Sequence, residues 1–151
     1  MLTTNDIAPD FSLPDQNGGT VSLADLLANG PAIVFFYPAD FTPICTKEAC
    51  LFRDGYAELA AAGITVVGVS PNDSDSHARF RDRHKLNYTL LADPEKKLIR
   101  AFGVDGPFGI GIRRTTFLIG PDRHILAAVR ADLRLGPHKK LMQTALAATE
   151  Q

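Results

Sequence analysis

The chain has 151 residues, 45% of them hydrophobic, which suits one domain spanning residues 1 to 151 better than two marginal cores. With 16 basic and 17 acidic residues its formal net charge is -1, and no basic run exists to follow a phosphate backbone, so nucleic acid and anionic membranes are not expected partners. No segment approaches the roughly 18 consecutive apolar residues of a membrane span, and MLTTNDIAPDF has no basic stretch before an apolar one, so a cytoplasmic location is expected.

After Asp10 a short run closes on Gln16-Asn17-Gly18-Gly19, a turn leading through Thr20-Val21-Ser22 into a short strand or directly into a helix. Ser22 suits the N-cap, Asp25 lies three residues on, and Leu23, Leu26 and Leu27 form an apolar stripe that Asn29-Gly30-Pro31 ends. Ala32 to Tyr37 and Ile64 to Val69 are continuous apolar runs of central-strand character. Between them Phe52, Tyr56, Leu59 and Ala60 share one helix face, stopped by Gly63, which completes a β-α-β unit. A polar helix is expected over 74–84, a strand over 89–91 and a helix over 94–102. Thr115 to Ile119, the turn at 120–123 and Ile125 to Val129 read as a hairpin, followed by a last helix over 137–148. This alternation predicts a single α/β domain with a central mixed sheet flanked by helices.

Two cysteines are too few for a disulfide scaffold, so their spacing and neighbours must decide between inert, metal-binding and redox roles. The segment Tyr37-Pro38-Ala39-Asp40-Phe41-Thr42-Pro43-Ile44-Cys45-Thr46-Lys47-Glu48-Ala49-Cys50 lies where the first central strand hands over to a helix. Thr42 suits the N-cap and Pro43 the first helical position, which places Cys45 third in the first turn. There, unpaired N–H groups and the positive end of the helix dipole favour a thiolate. A thiolate attacks peroxide oxygen, breaking the O–O bond and leaving a sulfenic acid. The Thr42 hydroxyl and the N–H groups of the turn are candidate donors to the departing oxygen.

Cys50 follows five residues later, which in an intact helix gives a Cα separation of roughly 8 to 9 Å. A disulfide needs less than about 7 Å, so pairing the two requires the first turns to unwind. Gly55 lowers helix propensity and either eases that unwinding or admits a close neighbour. Inert buried cysteines are the ordinary alternative, outweighed by the flanking residues. A metal site is disfavoured, because Cys-x4-Cys lacks tight zinc spacing and His77, His84, His124 and His138 are scattered. His77 and His84 are taken as solvated residues of a charged helix. The glycines of 106–111 follow a helix and precede a strand, the reverse of a phosphate-cradling loop, and read as a flexible loop.

Pro38-x-x-x-Thr42-x-x-Cys45 with Glu48 resembles the peroxiredoxin active-site signature, and Phe41 to Cys50 is most similar to the PrxQ, or bacterioferritin comigratory protein, group. The similarity runs from Ala8-Pro9-Asp10-Phe11 to Phe117-Leu118-Ile119. It implies a thioredoxin-like fold and a peroxidase without metal, flavin or haem. In that reading Cys45 is peroxidatic, Cys50 resolving, Thr42 a peroxide-binding hydroxyl and Pro38 a shield over the sulfur. It further implies that Arg114, in Arg114-Thr115-Thr116-Phe117, orients the peroxide and favours the thiolate, with Glu48 holding the arginine. Arg113 is the competitor, and strand alternation lets only one of the two reach Cys45, so Arg113 is assigned to solvent. The chain departs from the group pattern at Ala39, where lysine is common, and at Ile44, where glycine is; Ile44 gives the mouth an apolar character suited to organic hydroperoxides. Residues 105–112 also lack the lysine and tyrosine usual there, which bears on reductant docking.

The implied partners are a hydroperoxide substrate and thioredoxin, or another dithiol carrier, as reductant, with the chain monomeric or weakly dimeric. Two other readings stay open: a thioredoxin-like disulfide reductase or oxidase, although Cys-x-x-Cys is absent, and a non-enzymatic redox sensor or holdase.

Overall fold

The computed structural model describes residues 1 to 149. Seven strands and five helices occur among the described residues. In chain order they are β1 (Ser12–Pro14), β2 (Thr20–Ser22), α1 (Leu23–Leu27), β3 (Ala32–Phe36), α2 (Pro43–Ala61), β4 (Thr65–Ser70), α3 (Ser74–His84), β5 (Thr89–Ala92), α4 (Lys97–Ala101), β6 (Thr115–Ile119), β7 (Ile125–Arg130) and α5 (Gly136–Thr149). A single 3-10 turn lies at Pro107–Gly109.

The main sheet runs in the order β5-β4-β3-β6-β7. β3, β4 and β5 are parallel, while β6 pairs antiparallel with both β3 and β7. Every residue of β3 is buried, as its unbroken apolar run requires, because both faces of the sheet are covered. On one face Val34, Phe36, Val67, Val69, Phe117 and Ile119 pack against Leu23, Leu26, Ile99 and Phe102 of the α1 and α4 regions. On the other, Ile33, Phe35, Val66, Leu90 and Leu118 pack against Phe52 and Leu59 of α2, Phe80 of α3 and Leu141 and Met142 of α5. The expected α/β architecture with a flanked mixed sheet therefore holds.

Local chemistry sets most element ends. Ser22 and Asp25 form a complete capping box: the Asp25 N–H donates to Ser22 Oγ at 3.1 Å and the Ser22 N–H to Asp25 Oδ2 at 2.9 Å. Of the two alternatives for the approach to α1 the structure has the short strand, β2; its partner β1 is three residues, two of them exposed, which periodicity does not reveal. α4 starts later than expected, because Lys96 has φ of +58° and its left-handed backbone cannot continue a right-handed helix. Gly55 admits a close neighbour: a Cβ there would lie 2.6 Å from Met142 Sδ.

Register brings the site together. Phe36 is paired with Thr115 and Thr115 with Arg130, so the end of β3, the start of β6 and the end of β7 meet at one sheet edge. No helix among the described residues is long and apolar enough to cross a membrane.

Candidate active site

Cys45 is the third residue of α2, with Thr42 as N-cap and Pro43 opening the helix. Its side chain is almost fully buried, at 1% exposure, and the residue follows the loop 37–42 that connects β3 to α2. Cys50 is half-buried on the same helix, and both sulfurs are free thiols.

Arg114, just before β6, reaches across the sheet edge to the sulfur: Nη2 donates to Cys45 Sγ at 3.1 Å. Its other nitrogens are anchored, Nη1 on Glu48 Oε1 at 2.7 Å and Nε on the Asp132 carbonyl at 3.0 Å. Glu48 stands one helical turn beyond Cys45 on the same inward face, which is why one guanidinium fork touches both. The Arg114 N–H also donates to Asp132 Oδ1 at 2.9 Å. Desolvation opposes the Arg114 charge, but Glu48 and Cys45 outweigh it and hold the guanidinium above its ordinary value.

Arg114 and not Arg113 holds the sulfur, and Arg113, part-exposed, is not simply solvated. Its Nε and Nη2 donate to Asp132 Oδ2 at 2.9 and 2.7 Å, clamping the carboxylate that holds Arg114. Asp132 is consequently held below the usual carboxylate range, chiefly by Arg113.

Glu48 is fully buried. Burial pushes its carboxyl up to about 7, against the downward pull of Arg114. Its second oxygen, Oε2, has no hydrogen-bond partner among the described residues and lies 3.6 Å from His138 Nδ1. His138, equally buried, bonds Thr116 Oγ1 through Nδ1 at 2.7 Å and the Ala131 carbonyl through Nε2 at 2.9 Å. Desolvation lowers its pKa, so the neutral ring is favoured, donating from Nε2 and accepting the Thr116 hydroxyl.

Thr42 occupies the N-cap without making a side-chain cap. Its hydroxyl donates instead to the Ala39 carbonyl at 2.9 Å, which leaves the oxygen lone pairs open at the exposed mouth. Pro38 and Ile44 are half-buried in the same stretch. Besides His138, two buried groups escaped the sequence reading. His77 is fully buried rather than solvated, bonded to Asp40 at 2.7 Å and to the Leu91 carbonyl at 3.0 Å. The Tyr88 hydroxyl donates to the Ala49 carbonyl at 2.7 Å, beside Cys50. No group of three or more His, Cys, Asp or Glu among the described residues is arranged to hold a metal.

The arrangement is one thiol at a helix N-terminus, a tethered guanidinium on its sulfur and an open hydroxyl at the mouth. Such an arrangement is suited to reducing a peroxide through a thiolate. Residues 4–128 match the model of the AhpC/TSA family. A Mycobacterium tuberculosis chain named for the peroxiredoxins is 43% identical over 133 residues, covering 84% of each chain. Chloroplastic peroxiredoxin Q of Arabidopsis thaliana is 42% identical over 138 residues, which span 91% of this chain and 62% of that one. The crystal structure of peroxidoxin BcpB from Mycobacterium tuberculosis superposes with a TM-score of 0.90 at 38% identity, covering 98% of both chains. A bacterioferritin comigratory protein of Xanthomonas campestris, described for its alkyl peroxide reduction activity, superposes with a TM-score of 0.84 at 29% identity over 93% of this chain and 92% of that one. The thioredoxin-like fold is therefore shared, and the chain belongs to the AhpC/TSA family as a peroxiredoxin of the BcpB and PrxQ type, a thiol peroxidase.

Proposed function

We propose that Cys45 is the peroxidatic thiol, that it reduces hydrogen peroxide and organic hydroperoxides, and that Cys50 resolves the product. The observation that carries this reading is the Arg114 contact, a guanidinium 3.1 Å from Cys45 Sγ whose other nitrogens are all tethered. A cation fixed in this way stabilises the sulfur anion without reorganising during attack. The thiolate attacks the terminal peroxide oxygen, the O–O bond breaks, and the alkoxide or hydroxide takes up a proton and leaves as alcohol or water. The Thr42 hydroxyl already donates to Ala39, so its oxygen is available to accept the O–H of the incoming hydroperoxide. This replaces the donor role expected from the sequence. Pro38 shields the sulfur and Glu48 holds Arg114. Organic hydroperoxides are included on the strength of the half-buried Ile44 and the named activity of the Xanthomonas relative.

In the second step the Cys50 thiol displaces hydroxide from the Cys45 sulfenic acid, which takes up a proton, so that a disulfide and water form. A dithiol protein, thioredoxin in the reading favoured here, returns both sulfurs to thiols by exchange and leaves oxidised. A reducing cytoplasm and a monomeric or weakly dimeric chain complete the proposal.

Peroxide consumption coupled to thioredoxin and its reductase tests it. Cys45→Ser should show no turnover. Cys50→Ser should form a sulfenic acid once and then stall; undiminished steady-state turnover in Cys50→Ser would falsify its resolving role.

A further inference from the structure

The loop between β3 and α2 carries a buried carboxylate that the chemistry at Cys45 does not touch. Asp40 is 7% exposed, and both of its carboxylate oxygens and its backbone N–H are engaged. Oδ1 accepts from the Tyr37 hydroxyl at 2.6 Å. Oδ2 accepts from Ser76 Oγ at 2.8 Å and meets His77 Nδ1 at 2.7 Å, both in the first turns of α3. The backbone N–H donates to Asn72 Oδ1 at 2.9 Å, and Asn72 is itself held by Ser70 at the end of β4. The far side of the His77 ring rests on the Leu91 carbonyl of β5 at 3.0 Å. One residue of a surface loop is thus bolted to β4, α3 and β5 through groups that are themselves fully buried or anchored.

What the bolt holds is short. Ala39 precedes Asp40, and its carbonyl accepts the Thr42 hydroxyl at 2.9 Å. Phe41, between them, is held at a φ of +66°, a conformation costly for a bulky side chain and maintained only where its surroundings impose it. Fixing Asp40 fixes the peptide on either side of it, hence the direction of the Ala39 carbonyl, hence the rotamer of the Thr42 hydroxyl. We propose that Asp40 is a positioning residue for the peroxide step, orienting Thr42 towards the substrate through the Tyr37, Ser76 and His77 network. The inference rests on the reading of Thr42 as the peroxide-binding hydroxyl. Asp40 touches neither sulfur nor substrate, so its effect falls on alignment and not on the thiolate.

The test therefore compares two electrophiles on one thiol. Asp40→Asn keeps the shape of the side chain but places a donor among groups that donate. Its second-order rate with hydrogen peroxide should fall by roughly tenfold, whereas alkylation of Cys45 by iodoacetamide at the same pH, which needs no Thr42, should stay within about twofold of the parent. A folded Asp40→Asn protein that reduces peroxide at the parental rate overturns the inference, and so does an equal fall in both rates. Should Asp40→Asn not fold, Tyr37→Phe and Ser76→Ala each remove one donor, and each should slow peroxide by a few-fold with alkylation unchanged; parental peroxide rates in both overturn it too. Thr42→Val separates the layers. Slow peroxide reduction in Thr42→Val beside a parental rate in Asp40→Asn rejects the positioning role alone, whereas a parental rate in Thr42→Val rejects the reading of Thr42 and the inference with it.

Discussion

At the scale of single residues, the two adjacent arginines make opposite predictions from one register. Arg114→Ala removes the guanidinium on Cys45 and leaves Glu48 buried without its partner, so the peroxide rate should drop by roughly 100-fold or more, at a stability cost of about 3 kcal/mol. Arg113→Ala loosens only the half-exposed clamp on Asp132, so a slowing of roughly threefold is expected. Stopped-flow rates on both variants decide the matter, and an exchange of the two effects would mean the assigned register is wrong. Glu48 carries a pH prediction. Its carboxyl sits at about 7 in the folded chain against 4.5 ordinarily, mainly through burial. Between those values the folded state holds a proton that the unfolded state has released, so stability declines as pH rises through that window, by roughly 3 kcal/mol in all. Urea unfolding at pH 5 and pH 8 should show this slope in the parent and not in Glu48→Gln. Cys45 and Thr42 could be singled out from the sequence because both lie in the opening turn of one helix, whose start Pro43 marks, whereas Glu48 and Arg114 came from the family resemblance. The sequence could not expose His77, whose carboxylate partner lies 37 residues earlier, nor His138, whose partners come from β6 and the end of β7.

At the scale of elements, the proposed Cys45–Cys50 disulfide requires α2 to change during the cycle. Cys45 and Cys50 sit in one continuous helix, and Ala49 is pinned to Tyr88, so the moving portion is the first two turns and not the remainder. Hydrogen exchange should show the amides of residues 46–50 protected in the reduced protein and unprotected after one equivalent of peroxide, with those of residues 52–61 unchanged. Full protection of 46–50 in the disulfide form would contradict the unwinding. Gly55, a candidate hinge by propensity, packs against Met142 in the structure, and its smallness serves that contact. Gly68 is stricter: in the middle of β4 an added Cβ would lie 2.7 Å from Phe35 Cζ and 3.0 Å from Leu90 Cδ2. Gly68→Ala should lower stability by about 2 kcal/mol, readable as a shift in the urea midpoint. The long apolar runs and capped helices were legible in the sequence, because each is specified locally. β1 and the late start of α4 were not, since the first depends on pairing with β2 and the second on one left-handed residue, Lys96.

At the scale of the whole molecule, the sheet order explains why distant residues become one site. β3 delivers the loop and Cys45, antiparallel β6 begins beside the end of β3 and delivers Arg114, and β7 ends beside β6 and delivers Asp132. The helix dipole and the guanidinium then act on the same sulfur from two layers of the fold. In the proposed mechanism all of this converges on one thiol, Cys45, as the electron donor. The direct measurement is addition of one equivalent of hydrogen peroxide, without reductant, to fully reduced parent, Cys45→Ser and Cys50→Ser, following peroxide loss and free thiols together. The parent should consume one peroxide and lose both thiols, Cys50→Ser should consume one and hold a sulfenic acid trappable by dimedone, and Cys45→Ser should consume none; peroxide loss at the parental rate in Cys45→Ser would contradict the account.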